Sequence, residues 1–163
     1  MLMTLGCLAA CDKSAGGKEY SVPRALCGVS VDQDLLSEFL PAGKRVDVTE
    51  KSSVPGIKRC RVTVDGKLAL IASQEWWDKG DSIVDVARAY PQLESARLGE
   101  GDAYLNSATG GVGRVKPCVS ADYPEKVLYA AVQIYAKDVE DEPSMKKFIT
   151  AYVKAVGLSS ECQ

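Results

Sequence analysis

The chain has 163 residues, 46% of them hydrophobic and 26% charged, with a formal net charge of −2 and no histidine. That is the make-up of one ordinary globular domain able to bury a sizeable core, and it offers neither a basic footprint for nucleic acid nor a polybasic patch for anionic lipid. Without histidine, Ser-His-Asp and Cys-His nucleophilic machinery and imidazole metal sites are excluded together.

The N-terminus carries the first motif. An apolar run from Met1 to Gly6 and then Cys7 lead into Leu8-Ala9-Ala10-Cys11, and a polar, glycine-containing stretch follows from Asp12 to Glu19. Small residues after an apolar run mark a secretory cleavage site. The motif resembles the bacterial lipobox, which implies lipidation of Cys11, cleavage before it, and a domain held on the extracytoplasmic face of a membrane. The resulting organisation is a signal peptide over 1–10, a lipidated cysteine and flexible tether over 11–22, and one globular domain over 23–163. A signal normally opens on a charged segment, yet no Lys or Arg precedes Lys13. Either the true start lies upstream of Met1 or the segment is an unprocessed tail. No stretch approaches the roughly 20 apolar residues of a spanning helix, so the lipid is the expected membrane attachment.

Setting Cys7 and Cys11 aside leaves Cys27, Cys60, Cys118 and Cys162. An even number in an exported chain suggests two disulfides with three possible connectivities. Cys27–Cys60 with Cys118–Cys162 is the favoured pairing, because it staples each half separately. A four-cysteine metal site is disfavoured, since no C-x-x-C spacing is present.

The elements follow in order. Ser30 to Gln33 has capping-box spacing ahead of a helix with Leu35, Leu36, Phe39 and Leu40 on one stripe, stopped by Pro41 and Gly43. Arg45 to Glu50 reads as a half-buried strand, and Ser52 to Gly56 as a turn. Next comes the clearest hairpin. Cys60, Val62 and Val64 point one way and Arg59, Arg61 and Thr63 the other, Asp65-Gly66 turns the chain, and Lys67 to Gln74 returns with Leu68, Leu70 and Ala72 inward. A helix capped at Asp81 or Ser82 carries Ile83, Val84, Ala87 and Tyr90.

Gln92 to Gly101 is expected as loop, Ala103 to Asn106 as a short strand, and Thr109 to Gly113 as a glycine turn. Arg114 to Val119 reads as a strand placed at a sheet edge by Pro117. Lys126 to Ala136 is the longest strand, apolar on both faces and so central. The last helix is capped by Asp141 and striped by Met145, Phe148, Ile149, Tyr152, Val153 and Val156, with Gly157 ending it. The expected class is α+β: a single domain, mainly an antiparallel sheet of about 5–6 strands packed by two or three helices. The cysteine-bearing stretches from Cys60 and from Cys118, each followed by a turn and a returning strand, hint at two similar halves.

Together the lipobox, Cys27 ahead of Leu35-Leu36, Cys60 opening a hairpin, the Leu98 to Ala103 segment and the closing helix resemble the small exported lipoproteins of actinobacteria, many of unknown function. The resemblance implies no catalytic residues.

Four constellations bear on chemistry. Ser144-x-x-Lys147 matches a penicillin-recognition motif but lacks its companion motifs. The Gly110 to Gly113 run lacks phosphate-loop spacing. Asp138, Glu140, Asp141 and Glu142 lack EF-hand spacing and suit a helix start. Glu94, Glu100 and Asp102 form no carboxylate pair of legible separation. The pair Trp76-Trp77 is more suggestive, since neighbours on a strand point to opposite faces and an exposed tryptophan can stack on a sugar or anchor a partner. With Tyr90, these two form the expected ligand or partner surface, near Tyr129 and Tyr135. The sequence thus leads to a non-enzymatic, lipid-anchored extracytoplasmic binding domain without cofactor or metal. Its expected partners are the membrane, through the N-terminal lipid, and a cell-envelope protein or glycan, with no nucleic acid. A solute or lipid carrier with an internal apolar pocket is the alternative, and a cell-envelope enzyme a third.

Overall fold

The computed structural model describes residues 16–98 and 103–162. The sequence expectations for Cys7 and Cys11, and for Glu100 and Asp102, lie outside them. The described chain is α+β, with a small ribbon of β1 (Ala25–Leu26) and β2 (Val29–Ser30) beside a seven-stranded antiparallel sheet. The large sheet runs β3 (Val46–Val54), β4 (Ile57–Val64), β5 (Lys67–Asp78), β9 (Lys126–Ile134), β8 (Gly110–Arg114), β7 (Tyr104–Asn106) and β6 (Arg97–Leu98) in spatial order. Three helices accompany it: α1 (Gln33–Glu38), α2 (Ile83–Ala87) and α3 (Glu142–Gly157).

The β4–β5 hairpin forms where its alternation demands. Cys60, Val62 and Val64 are buried, and Asp65 and Gly66 both take positive φ, which suits the tight turn. The Asp65 carboxylate also accepts from the backbone N–H groups of Lys44 and Arg45, tying the start of β3 to this turn. The register then slips. Val62 pairs Leu70 while Thr63 pairs Leu68, so Ala69 bulges out of the ladder. Leu70 and Ala72 stay in the core as expected, but Leu68 leaves their row and is half-buried.

Strands β3 and β5 outrun their expected ends. β3 continues through Ser52 and Ser53 because β4 keeps pairing with it as far as Val54–Ile57, leaving only Pro55-Gly56 as the turn. β5 runs on through both tryptophans because β9 pairs it down to Asp78. β9 sits centrally, between β5 and β8.

The largest correction concerns the glycines. Gly110 to Gly113 is not a turn but strand β8, and Arg114 ends that strand rather than opening one. Pro117 and Cys118 lie beyond it in irregular chain, so Cys118 is not a counterpart of the strand residue Cys60 and the parallel between halves is not carried. Helix α3 lies directly on β8. A Cβ on Gly111 would come within 2.7 Å of Ile149 Cβ, and one on Gly113 within 2.8 Å of Val153 Cγ2. Here glycine supplies close approach.

Helix starts follow side-chain chemistry. Ser30 belongs to β2, and Asp32 caps α1 instead, its carboxylate accepting from the N–H groups of Asp34 and Leu35. Gln33 does not reach back to a cap but donates to Val22 O. Ser82 and Asp85 make a reciprocal capping box on α2. Asp141 caps α3 with a 2.7 Å bond from Ser144 N–H.

The disulfides join Cys27 to Cys60 and Cys118 to Cys162, the pairing favoured by the sequence. The second holds a short 3-10 turn, Ser160–Cys162, against the body, where Glu161 also ion-pairs with Lys58.

Layering follows from which face is apolar. One sheet face is covered by α3 and α1, with Met145, Phe148, Ile149, Tyr152, Val153 and Val156 packed onto Leu70, Leu128, Ala130, Val132 and Ile134. At about 1.5–3 kcal/mol per fully buried large apolar side chain, this one helix secures the domain. The opposite face is covered only in part. Helix α2 and the 3-10 turn Pro91–Leu93 lie over β7, β8 and β9, enclosing Val86, Tyr90, Leu93, Leu105, Val112, Tyr129 and Ala131. That layer reaches the far end of β5, where Trp77 packs beside it, but β3, β4 and the first half of β5 are no part of it.

Candidate functional site

The half-covered face is where polar side chains gather. Ile71, Ser73, Glu75 and Trp77 alternate along β5 on this side, and the register sets Ser73 beside Arg59, Ile71 beside Arg61, and Glu75 beside Ile57. One strand further out, Lys51 pairs Arg59 and Thr49 pairs Arg61. On the inner flank, Gln133 of β9 pairs Ile71 and accepts at Oε1 from the Tyr135 hydroxyl at 3.2 Å.

Glu75 is the buried charge of this face, only 5% exposed. Arg59 Nη2 reaches its Oε1 at 3.1 Å, while the rest of the guanidinium stays in solvent. Burial is the main reason that the Tyr90 phenol is pushed far up, and the neighbouring Glu75 carboxylate adds to it. Tyr90 therefore stays protonated at neutral pH, a neutral hydroxyl that can both donate and accept. Its hydroxyl has no hydrogen-bond partner, and neither has the Ser73 hydroxyl. Both sit at or below 3% exposure. Both hydroxyls are enclosed rather than open to a partner, and the Tyr90 hydroxyl has the Glu75 carboxylate and the Trp77 indole beside it.

Beyond this polar pair the face turns cationic. Lys51, Val54, Ile57, Arg59, Arg61 and Ile71 line a hollow of about 200 Å³. Arg59 is engaged by Glu75, whereas Lys51 and Arg61 have no acidic partner among the described residues. In a chain of net charge −2 this is a local positive field.

The three residues expected to form a ligand surface separate. Trp77 packs beside the cluster holding Tyr90, on the half-covered face, and its indole is close enough to act on the Tyr90 hydroxyl. Trp76 points to the other face, half-buried against the main core and stacked on Tyr123 with ring centroids 5.4 Å apart. Neither tryptophan is fully exposed. Tyr129 and Tyr135 do come to the same side, Tyr129 donating to Asp81 O. Glu75, Ser73, Arg59, Arg61 and Lys51 are additions that the sequence reading misses. Their signal was the outward set Arg59 and Arg61 in the hairpin, together with a lone carboxylate, Glu75, at the end of an apolar strand.

The other motifs disperse. Ser144 is buried in the first turn of α3 while Lys147 is exposed. The Asp141 carboxylate is taken up as a helix cap. Among the described residues no group of acidic or cysteine side chains gathers as a metal site, and no helix is long and apolar enough to cross a membrane. A half-open groove of about 600 Å³ lies beside α2, lined by Val84, Ala87, Tyr90, Leu93 and Leu105 with Arg88 and Glu94 at its rim. No protein-family model matches this chain, nor does any curated protein or solved structure.

Proposed function

We propose that the chain is a lipid-anchored, extracytoplasmic binding domain without catalytic activity, and that it takes its partner on the half of the sheet that α2 leaves uncovered. The observation that carries this reading is the asymmetry of one face. Over β7 to β9 it is sealed by an apolar layer; over β3, β4 and the first half of β5 it offers a cationic hollow, with the ion-paired Glu75 buried beside it. The donors outnumber the acceptors there, since Arg59, Arg61 and Lys51 all give hydrogen bonds and none accepts. Such a face holds an acceptor-rich partner in place, and its buried carboxylate, Glu75, is already engaged by Arg59. Two disulfides among the four cysteines after Cys11 support an oxidising, extracytoplasmic setting.

Two measurements test it. The mass of the protein extracted from native membranes should be that of a chain beginning at diacylated Cys11, with four mass units regained on reduction. A photo-crosslinker at Ile71, on the uncovered face, should label an envelope component far more than one at Thr150 on the exposed side of α3. An unprocessed Met1 with free thiols removes the anchored reading, and equal labelling at both positions removes the binding face. A second reading, a carrier of apolar solutes, is favoured only by the groove beside α2; it requires that a fluorescent apolar probe bind there and be lost on substitution at Leu93 or Leu105.

A further inference from the structure

The uncovered face ends at an open sheet edge, and the two features meet there. β3 is the outermost strand, nine residues long, with every residue from Thr49 onward exposed. Among the described residues nothing pairs with its outer side, so a row of backbone N–H and C=O groups stands ready for another strand. The cationic hollow opens onto that same edge, since Lys51 and Val54 belong to β3 itself.

We infer that β3 binds an extended acidic polypeptide segment by strand addition, with alternate carboxylates of that segment set against Lys51 and Arg61. This rests on the uncovered face being the binding surface and names the kind of partner it takes. In strand addition, main-chain hydrogen bonds give affinity and every second side chain gives specificity. Thr49 is short and is the register partner of Arg61. A glutamate opposite Thr49 therefore reaches across it to the Arg61 guanidinium and lies diagonal to Lys51, within range of long side chains. Further along the same face, past Lys51, lies Val54, which is 53% exposed, so an apolar side chain is favoured opposite it.

A second copy of the chain fits less well. Antiparallel self-pairing about Thr49 would set Asp47 against Lys51, but the Asp47 carboxylate is already held by Arg45 at 2.8 Å. It would also lay Val48 against Glu50 on the opposite face.

The test uses the full oxidised chain and synthetic peptides with glutamate at every second position and valine or threonine between. Fluorescence anisotropy should detect binding that weakens as salt rises. Amide hydrogen exchange should slow along β3 while α3 is unaffected. Lys51→Glu and Arg61→Glu should each weaken binding tenfold or more, and the doubly substituted chain should instead take the matching lysine peptide. Lys51 is exposed, so Lys51→Glu alone decides the matter should Arg61→Glu fail to fold. Unaltered binding in Lys51→Glu, no slowing of β3 at millimolar peptide, or slowing that follows protein concentration without peptide overturns the inference. Should the crosslinker at Ile71 still label its envelope component in Lys51→Glu with Arg61→Glu, this inference falls and the binding face stands. Labelling no stronger than at Thr150 removes both.

Discussion

Substitution of Gly111 by alanine separates the strand β8 from the turn that its sequence resembles. In a turn with open space, Gly→Ala is neutral or stabilising by about 0.4–1 kcal/mol where φ allows, through the unfolded chain. In β8 the new Cβ lies 2.7 Å from Ile149 Cβ and 2.9 Å from its Cγ1, against the roughly 3.5–4.0 Å of a comfortable carbon contact. The helix or the strand must therefore shift by about 1 Å in an otherwise filled interior. Such overpacking costs about 1–3 kcal/mol, and the entropic gain offsets part of it, leaving a net loss of about 1–2 kcal/mol. At about 2–4 °C per kcal/mol for a domain of this size, Tm should fall by about 2–8 °C. Denaturant unfolding of the oxidised protein, with both disulfides intact, measures it. Gly80→Ala is the control, since its Cβ meets nothing within 4 Å, and it should be neutral or slightly stabilising. Ile149→Ala in the Gly111→Ala background should be less than additive, because the Cγ contacts disappear although the Cβ contact remains. A Gly111→Ala protein as stable as Gly80→Ala would refute the claim that α3 lies on bare backbone.

Three further outcomes follow from the same structure. Arg59→Ala leaves Glu75 buried without its cation and should cost about 1–2 kcal/mol, less than a fully buried pair because the guanidinium is half in solvent; adding Glu75→Gln should restore most of it, and failure to do so would mean that Arg59 acts by packing alone. Replacing Cys118 and Cys162 together by alanine frees a closure of 44 residues of sequence separation, worth about 4 kcal/mol by chain entropy, and should unfasten the 3-10 turn at Ser160–Cys162, read as faster amide exchange there. Asp85 and Asp141 are both held below the usual carboxylate range, first by the side-chain hydrogen bonds of Ser82 and Ser144 respectively. Depressed folded-state values mean stability present above an unfolded pKa near 3.9 and lost as pH falls through the folded ones, so acid unfolding below about pH 4 should be blunted in the Asp141→Asn protein, measured by circular dichroism against pH.

Much of the fold was written locally. Apart from the bulge at Ala69, the β4–β5 hairpin and α3 follow from periodicities of two and 3.6, and the disulfides are the favoured one of three connectivities, the one that staples each half separately. The failures share one cause, which is that a pairing or packing partner outside the local pattern decided the outcome. Gly110 to Gly113 is a strand because Ile149 and Val153, much later in the chain, occupy the Cβ positions. β3 continues past Glu50 because β4 keeps pairing with it, and ending it at Glu50 kept Lys51 from being placed beside Arg59. Asp32 rather than Ser30 caps α1 because Ser30 pairs Ala25 in the small ribbon. In the candidate site, Trp77 and Tyr90 were legible as aromatics, but their company with Glu75 depends on α2 folding back over β9.

The attachment of the tether sets a reach. Lys18 bridges Gly43 in parallel fashion, Glu19 N–H donates to Gly43 O at 2.8 Å, and Lys18 Nζ donates to Ser37 O at 2.6 Å. The body is thus fastened from Lys18 onward, and, were Cys11 lipidated as proposed, only the seven residues 11–17 would separate the lipid from it. Fully extended, these span about 25 Å, less than the diameter of a domain whose radius of gyration is about 15 Å. On the proposed anchoring at Cys11, the domain would roll over the bilayer but not stand off from it. Gly43 lies just ahead of β3, so the open edge begins at the moored corner. Under the proposed anchoring, a partner for that edge would be met within a layer little deeper than the domain itself, and lengthening the segment between Cys11 and Lys18 should move that layer outward without touching the site.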